Sequence, residues 1–373
     1  MIGQAEIGKL ARAQAAEPAV LSLYLSVPLD PAELRELAAR TGDLIAVAAG
    51  QPGEGGRKLV RDADRDAVRS AVVAHGRDWL GRTVAIFACA DLGLFEVVPL
   101  SGEVPERAVL AARPHIRPLL ADLQRRPAYR VAVVDRRYAR VLAVTDGEIQ
   151  AVAASGAATV ASPGFGGWYG LDTYHVQHRI TELARYHYRQ VAVLLEHLMR
   201  DGEPQPLVVG GHQDGIGQFL ASLQPAVRQA FAGSFIVDTR ALTPARVRDL
   251  AEPVIARWAE QEAERLAAEI LEASPGGLAA VGLADCATAV NARAVERLIV
   301  PGEELVPGYV CGRCGLLGTA ADGCPDWAAA AQPVPDLIDE MVHRILGDGG
   351  QVTAVRSAPF QIAAQLRFPV TGP

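Results

Sequence analysis

The stretch from Asp172 to Arg200 constrains the fold of this chain more than any other. Val176, Ile180, Leu183, His187, Val191, Leu194 and Leu198 recur at intervals of three and four, which predicts one long amphipathic helix. On a second face His178, Glu182, Arg185 and Arg189 step by four, three and four, so a charged, mostly basic stripe runs beside the apolar one. An apolar stripe of that length has to be buried against another element. Candidate strands flank it on both sides. Upstream come YRVAVVD, ARVLAVT and EIQAVAA, with Asp146–Gly147 marking a hairpin between the last two. Downstream, PLVVGG reads as a buried strand.

The remainder alternates in the same way. AVLSLYLSV (19–27) has the period of a strand and ends at Pro28 and Pro31, after which PAELRELAARTGDLIAVA reads as a helix. The turn-rich QPGEGG (51–56) leads to a second helix, DADRDAVRSAVVAHGRDWL. TVAIFAC and GLFEVVPL read as strands and Glu106 to Leu123 as a helix. RRPAY (125–129) marks a boundary. Beyond PLVVGG the pattern predicts a helix from Asp214, a strand FIVD (235–238), and a helix from Thr243 to Ala273 with Pro253 inside it, where a kink and a second boundary are expected. The last third predicts a helix over Gly282–Val295, a strand RLIVP, an insertion, a helix PDLIDEMVHRIL, and strands QVTAVR and IAAQLRF. This is an α/β (α+β) layer pattern in three domains, 1–125, 126–253 and 254–373, the middle one built on a mixed sheet.

With 373 residues, half of them hydrophobic, there is material for two or three cores. No uncharged apolar run is long enough to span a membrane, and MIGQAEIGKLARAQ lacks the apolar segment of a secretory signal. Five cysteines do not make a disulfide framework, so the expected setting is a reducing cytoplasm. A net charge of −7 argues against a protein that coats nucleic acid indiscriminately. The balance reverses locally: residues 125–200 hold ten arginines against six carboxylates, a pattern that suits a phosphate-facing surface. Hydrolase signatures of the G-x-S-x-G and H-E-x-x-H kinds are absent. GGHQDG (210–215) is best explained as a tight strand-to-helix turn, and Cys89 and Cys286 as core thiols.

The insertion reads GYVCGRCGLLGTAADGCPDW, within 308–329. Cys311 and Cys314 form a C-x-x-C, and Cys324 follows ten positions later. A zinc ribbon needs four ligands, but Trp327 stands where the fourth cysteine would fall. Asp326 or Asp322 would have to complete the tetrahedron. A bound structural zinc and a decayed ribbon both remain open at this level, and no other cofactor is indicated. No helix start follows Cys311, so a lowered thiol pKa and a redox role are not expected.

Ahead of the long helix lies SPGFGGWYGLDTYHVQHRI (162–180), a loop with Gly164, Gly166, Gly167 and Trp168, then His175, Gln177, His178 and Arg179. Taken in order, these pieces resemble the eukaryotic and archaeal class I peptide-chain release factors and their relative Pelota, in a bacterial version. LSLYLSVPLDPAELRELAAR resembles the start of the decoding-end domain, RVAVVDRRYARVLAVTDGEIQ the opening strands of the middle domain, and the glycine loop, long helix and PLVVGG the rest of it. AVNARAVERLIV and DLIDEMVHRILGDGGQVTAV resemble a ribosomal-protein-like α/β C-terminal domain, which in archaeal members carries a C-x-x-C minidomain.

The resemblance implies a loop tip that reaches the peptidyl-transferase centre, formed here by Gly164, Gly166, Gly167 and Trp168. Family members that hydrolyse end that loop in Gly-Gly-Gln. Trp168 offers one N–H donor and no amide carbonyl, so it cannot position a water as the glutamine does. No Asn-Ile-Lys-Ser is present either, so stop-codon reading is not implied. Bacterial relatives lacking the glutamine, typified by Balon, occupy the ribosomal A site beside a translational GTPase elongation factor. The expectation is thus a monomeric, non-catalytic ribosome-binding factor, with His175, His178, Arg179, Arg185 and Arg189 on RNA. Two alternatives stand beside it: a peptidyl-tRNA hydrolase or rescue factor using Gln177, and a partner-binding scaffold away from the ribosome.

Overall fold

The computed structural model describes residues 4–15, 20–50, 60–100, 102–125, 127–145, 147–156, 171–200, 205–239, 242–301, 304–321, 324, 330–355 and 358–370. The side chains of residues 4–6, 50, 125, 156, 171–180 and 301 lie outside this description. The chain forms two compact units, one of Met1–Gln124 with Glu262–Pro373 and the other of Arg125–Gln261.

The first unit begins with a helix α1 (Gln4–Arg12) that hydrophobic spacing had not marked. Strand β1 (Val20–Ser26) follows, then helices α2 (Leu34–Gly50) and α3 (Asp62–His75), strands β2 (Thr83–Cys89), β3 (Leu94–Leu100) and β4 (Arg107–Ala111), and helix α4 (Arg117–Arg125). The strands form an antiparallel sheet in the order β3-β2-β1-β4. Alternation along β1 sends Leu21, Leu23 and Leu25 to a core shared with α2 and α3, and Tyr24 to the opposite core. The helix predicted over Glu106–Leu123 is two elements. Residues 107–111 pair with β1, Ala111 opposite Val20, and only from Arg117 does the chain coil. Burial beside β1 overrides the helix propensity of Ala and Leu there.

The second unit holds β5 (Tyr129–Val134), β6 (Tyr138–Thr145), β7 (Glu148–Gly156), α5 (Leu171–Arg200), β8 (Leu207–Gly211), α6 (Gln213–Ser222), α7 (Pro225–Gln229) and β9 (Phe231–Ile236). Its sheet runs β7-β6-β5-β8-β9 and is mixed, as expected: β5, β8 and β9 are parallel, β6 and β7 antiparallel. Gly147, at φ 76°, turns β6 into β7, the backbone that a two-residue hairpin asks for. β9 starts at Phe231, ahead of the predicted FIVD. Gly210 and Gly211 end β8 because nothing larger fits. A Cβ on Gly211 would lie 2.5 Å from the Val134 carbonyl oxygen, and one on Gly210 would enter the Phe235 ring. Helices α5 and α6 cover one face of the sheet. The first half of α8 (Pro244–Ala273), through Val247, Ala251 and Ile255, covers the other. Pro253 lies inside α8.

The C-terminal part of the first unit contains β10 (Ala279–Val281), α9 (Leu283–Asn291), β11 (Val295–Pro301), β12 (Gly308–Cys311), β13 (Leu317–Gly318), β14 (Ala331–Val334), α10 (Leu337–Gly347), β15 (Gln351–Val355) and β16 (Ala363–Leu366). The helix expected to reach Val295 ends at Asn291, and Val295 opens β11. Its four-stranded sheet runs β10-β16-β11-β15, and a small sheet β13-β12-β14 carries the cysteine insertion. One core joins the two parts of this unit. Ile7, Leu10, Phe87, Ile116 and Leu119 pack with Val290, Leu298, Met341, Val342 and Ile345. Gln124 adds a polar stitch, accepting from the Ala354 N–H at 2.6 Å and donating to the Val352 carbonyl.

Candidate RNA-facing surface and cysteine cluster

Helix α5 lies on the middle sheet with Ala184, Tyr188, Val191, Ala192 and Leu195 inward. This face is rotated from the stripe that the leucines marked. Leu183 is exposed, while Ala184 beside it is buried. Small residues carry little hydrophobic signal in the sequence, yet they let a helix approach a sheet closely. The charged face agrees with expectation: Glu182, Arg185 and Arg189 are all exposed. Arg185 bonds Glu182 at 2.8 Å, a surface pair of small energy. Arg189 has no ion pair among the described residues. His175, Gln177, His178 and Arg179 lie on α5, but their side chains fall outside the described residues. Gln177 is thereby on the helix, six positions past its first residue, and not in the loop. Gly164, Gly166, Gly167 and Trp168 lie wholly outside the described residues.

A second cationic feature was not singled out from the sequence. β5 turns into β6 through Arg136 and Arg137, closed by the Asp135 N–H donating to the Tyr138 carbonyl at 2.7 Å. Arg136, Arg137 and Tyr138 are exposed, Tyr138 by 60%. Asp135, at the base of the turn, accepts from the Thr239 hydroxyl at 2.9 Å. Short hairpin turns favour Asn-Gly or Asp-Gly, and two arginines there break the local rule. Such breaches concentrate at functional positions. That substitution of turn residues was the available signal.

Beneath this turn, α5 contributes His187 and Tyr188, each 1% exposed. Among the described residues, neither ring nitrogen of His187 has a hydrogen-bond partner of normal geometry, the Tyr138 backbone lying nearby. Burial lowers its pKa, opposed only in part by the Tyr138 backbone and Asp135. Burial, with Asp135 beside it, raises that of Tyr188. As expected, His187 is a packed histidine.

The insertion brings Cys311, Cys314 and Cys324 together. The Cys314 and Cys324 sulfurs are 3.6 Å apart, and those of Cys324 and Cys311 3.7 Å. These distances are far too long for disulfides. They match the edge of a tetrahedron of thiolates around zinc, about 3.8 Å for Zn–S bonds of about 2.3 Å. Gly315, at φ 74°, lets the chain turn so that its N–H reaches the Cys311 carbonyl at 2.7 Å. The N–H groups of Cys314 and Arg313 then point at the Cys311 sulfur and lower its pKa to about 7. The expectation of an ordinary thiol is corrected here: no helix start follows Cys311, but a turn supplies the same dipoles. The three thiols could hold a metal ion. Asp326, the expected fourth ligand, lies outside the described residues. Cys286 is the contrast, buried and pushed up to about 12 by that burial.

Residues 114–263 match the family model of bacterial archaeo-eukaryotic release factor family 10. No curated protein matches the sequence. Among solved structures, the chain is similar to the archaeal translation termination factor aRF1, at 15% identity over 98% of this chain and 96% of that one, with a TM-score of 0.27. A model of ribosome-bound archaeal Pelota and ABCE1 matches at 14% identity over 98% and 94%, with a TM-score of 0.41. Dom34 of S. cerevisiae, a translation termination-like factor, matches at 9% identity over 80% and 82%, again with a TM-score of 0.41. The family match covers β5 through most of α8, the elements that carry both arginine features.

Proposed function

We propose that this chain is a ribosome-associated translation factor that binds RNA through its middle unit without hydrolysing peptidyl-tRNA. The observation that carries the reading is the coincidence of the family match with the exposed cations Arg136, Arg137, Arg185 and Arg189 and the exposed Tyr138. Guanidinium groups suit phosphates, and an exposed ring beside them suits a splayed base. His175, His178 and Arg179 extend the same helix toward the Gly166-Gly167-Trp168 segment, which we assign to the peptidyl-transferase region. Trp168 in place of glutamine supports occupation of the A site, as in hibernation or protection, over catalysis. A translational GTPase is the partner kind that goes with this role.

The test is co-sedimentation with ribosomes across a salt series. Wild-type protein should bind and lose affinity steeply with salt. Replacing Arg136 and Arg137 by alanine should reduce the slope of log affinity against log salt by about 0.7–0.9 for each phosphate that is no longer neutralised. No binding at modest salt would sink the reading. Peptide release from peptidyl-tRNA that Gln177→Ala abolishes would put the hydrolase in its place.

We further propose that Cys311, Cys314 and Cys324 hold a structural zinc, with Asp326 as the fourth ligand. Purified protein should carry one equivalent by elemental analysis, and Cys311→Ser should lose it while the middle unit stays folded. A metal-free wild type with an intact insertion would overturn this.

A further inference from the structure

Both ring nitrogens of His343, on α10, face backbone carbonyls. Nε2 lies 2.7 Å from the oxygen of Pro114, and Nδ1 lies 3.1 Å from that of Ala11. A carbonyl oxygen only accepts, and a neutral imidazole has one N–H and one lone pair. Any neutral tautomer would therefore set a lone pair against a lone pair at one of the two contacts. The imidazolium, with a proton on each nitrogen, satisfies both. The ring is wholly buried, and a buried cation requires a counter-charge. Asp339, one turn earlier on α10, supplies it, with Oδ2 3.4 Å from Nε2. Asp339 is held ionised in turn, since its Oδ1 accepts the N–H groups of Ile116 and Arg117 at 3.1 and 2.8 Å.

Charged side chains flank this pair at the head of α10, along α10 and in the 113–117 segment. On α10, Asp336 takes His115 Nε2 at 3.0 Å and the Arg117 guanidinium at 3.2 Å, and it caps the helix through the Ile338 N–H. Glu340 lies 3.9 Å from Arg113, and Arg344 bonds Asn291 at 3.1 Å. From α1 the group that meets the ring is the Ala11 carbonyl. Arg117 already supplies the positive charge that a cation between Asp336, Asp339 and His115 would bring, so this cluster is an ion-pair network and not a metal site.

We propose that His343 is a proton-dependent fastener within the first unit: as an imidazolium it ties α1 and the 113–117 segment to α10, and loss of its proton loosens them. Burial alone would lower the pKa of His343, but Asp339, Glu340 and the Pro114 carbonyl outweigh it and leave it raised. Burial alone would raise that of Asp339, but His115, His343 and the Arg117 N–H outweigh it and leave it lowered. A raised histidine contributes stability that is fully present below its unfolded value of about 6.5 and is lost as pH rises through the folded value. Glu340, raised by burial, pulls in the same direction. The fastener thus opens on the alkaline side.

Nitrogen NMR of histidine-labelled full chain tests it directly. Both ring nitrogens of His343 should be protonated at neutral pH and titrate above it. Hydrogen exchange of residues 4–12 and 113–117, corrected for intrinsic rates, should quicken about tenfold or more as the ring loses its proton, relative to residues 129–134 of the middle unit. His343→Gln should show the quickened exchange at every pH. A neutral His343 ring at neutral pH overturns the proposal, and so does a pH response that His343→Gln leaves unchanged. If His343→Gln does not fold, the wild-type ring titration decides alone.

Discussion

His187 and His343 are almost equally buried, at 1% and 2% exposure, one in each unit of the molecule, and their surroundings push their pKa values in opposite directions. His187 sits on the inward side of α5 among apolar side chains, with neither nitrogen bonded among the described residues, and burial lowers its pKa. His343 has a carbonyl at each nitrogen and a carboxylate beside it, so it is held as a cation. Burial sets the cost of a charge, and the partners decide whether that cost is met. The two units differ in the same way. The middle core is apolar around buried His187, whereas the first unit threads a polar network, His115, Arg117, Asp336, Asp339 and His343, through the contact between its two chain segments. The pH responses should therefore oppose each other. A lowered histidine makes the unfolded chain the better proton binder, so the middle unit should weaken as pH falls below about 6.5. The first unit should weaken as pH rises.

The largest effect expected is from Asp339→Ala. It leaves the His343 cation without its counter-charge and two backbone N–H groups without an acceptor, at a cost of about 3–5 kcal/mol. Urea unfolding followed by regional hydrogen exchange should confine the loss to the first unit. An equal loss in the middle unit would erase the distinction between them. Gly211→Ala should strike the other side, because the new Cβ meets the Val134 carbonyl. The overpacking should cost about 1–3 kcal/mol, read in the middle unit by the same method. His187→Phe removes two unbonded buried nitrogens and keeps the ring. Stability should shift by no more than about 1 kcal/mol at neutral pH, while the acid weakening of the middle unit disappears. Retention of that weakening would point to another group. Arg185→Ala should be the smallest, removing an exposed pair worth about 0.3–0.5 kcal/mol, with its consequence seen in ribosome binding and hardly in the denaturation midpoint.

Much of the middle unit was legible in the amino-acid sequence because its signals are local. The period of α5, the Asp146–Gly147 turn and the apolar run before Gly210 and Gly211 each mark an element without reference to distant residues, and together they specify a mixed sheet with a charged helix on it. The three cysteines were legible for the same reason, since C-x-x-C spacing brings two sulfurs to one turn. The face of α5 that turns inward was not, because Ala184 and Ala192 are recognised as core only when the sheet lies against them. Nor was β4, whose strand state depends on pairing with β1, more than 80 residues earlier in the chain. The Arg136–Arg137 turn was visible as letters but took meaning only from its exposure and from the Asp135–Thr239 bond.

What the sequence determined by itself is the order of elements from β5 to α6 in the middle unit, the charged face of α5 and the cysteine spacing. These follow from periodicity and residue chemistry. The tertiary structure alone decided that the first and last parts of the chain share one core and that the side chains of His115, Arg117, Asp336, Asp339 and His343 meet inside it. The two sides of that network are separated by more than 200 positions, and each residue read singly would be assigned to the surface. Only their mutual proximity meets the cost of burying them, and proximity over such a separation is a property of the folded chain.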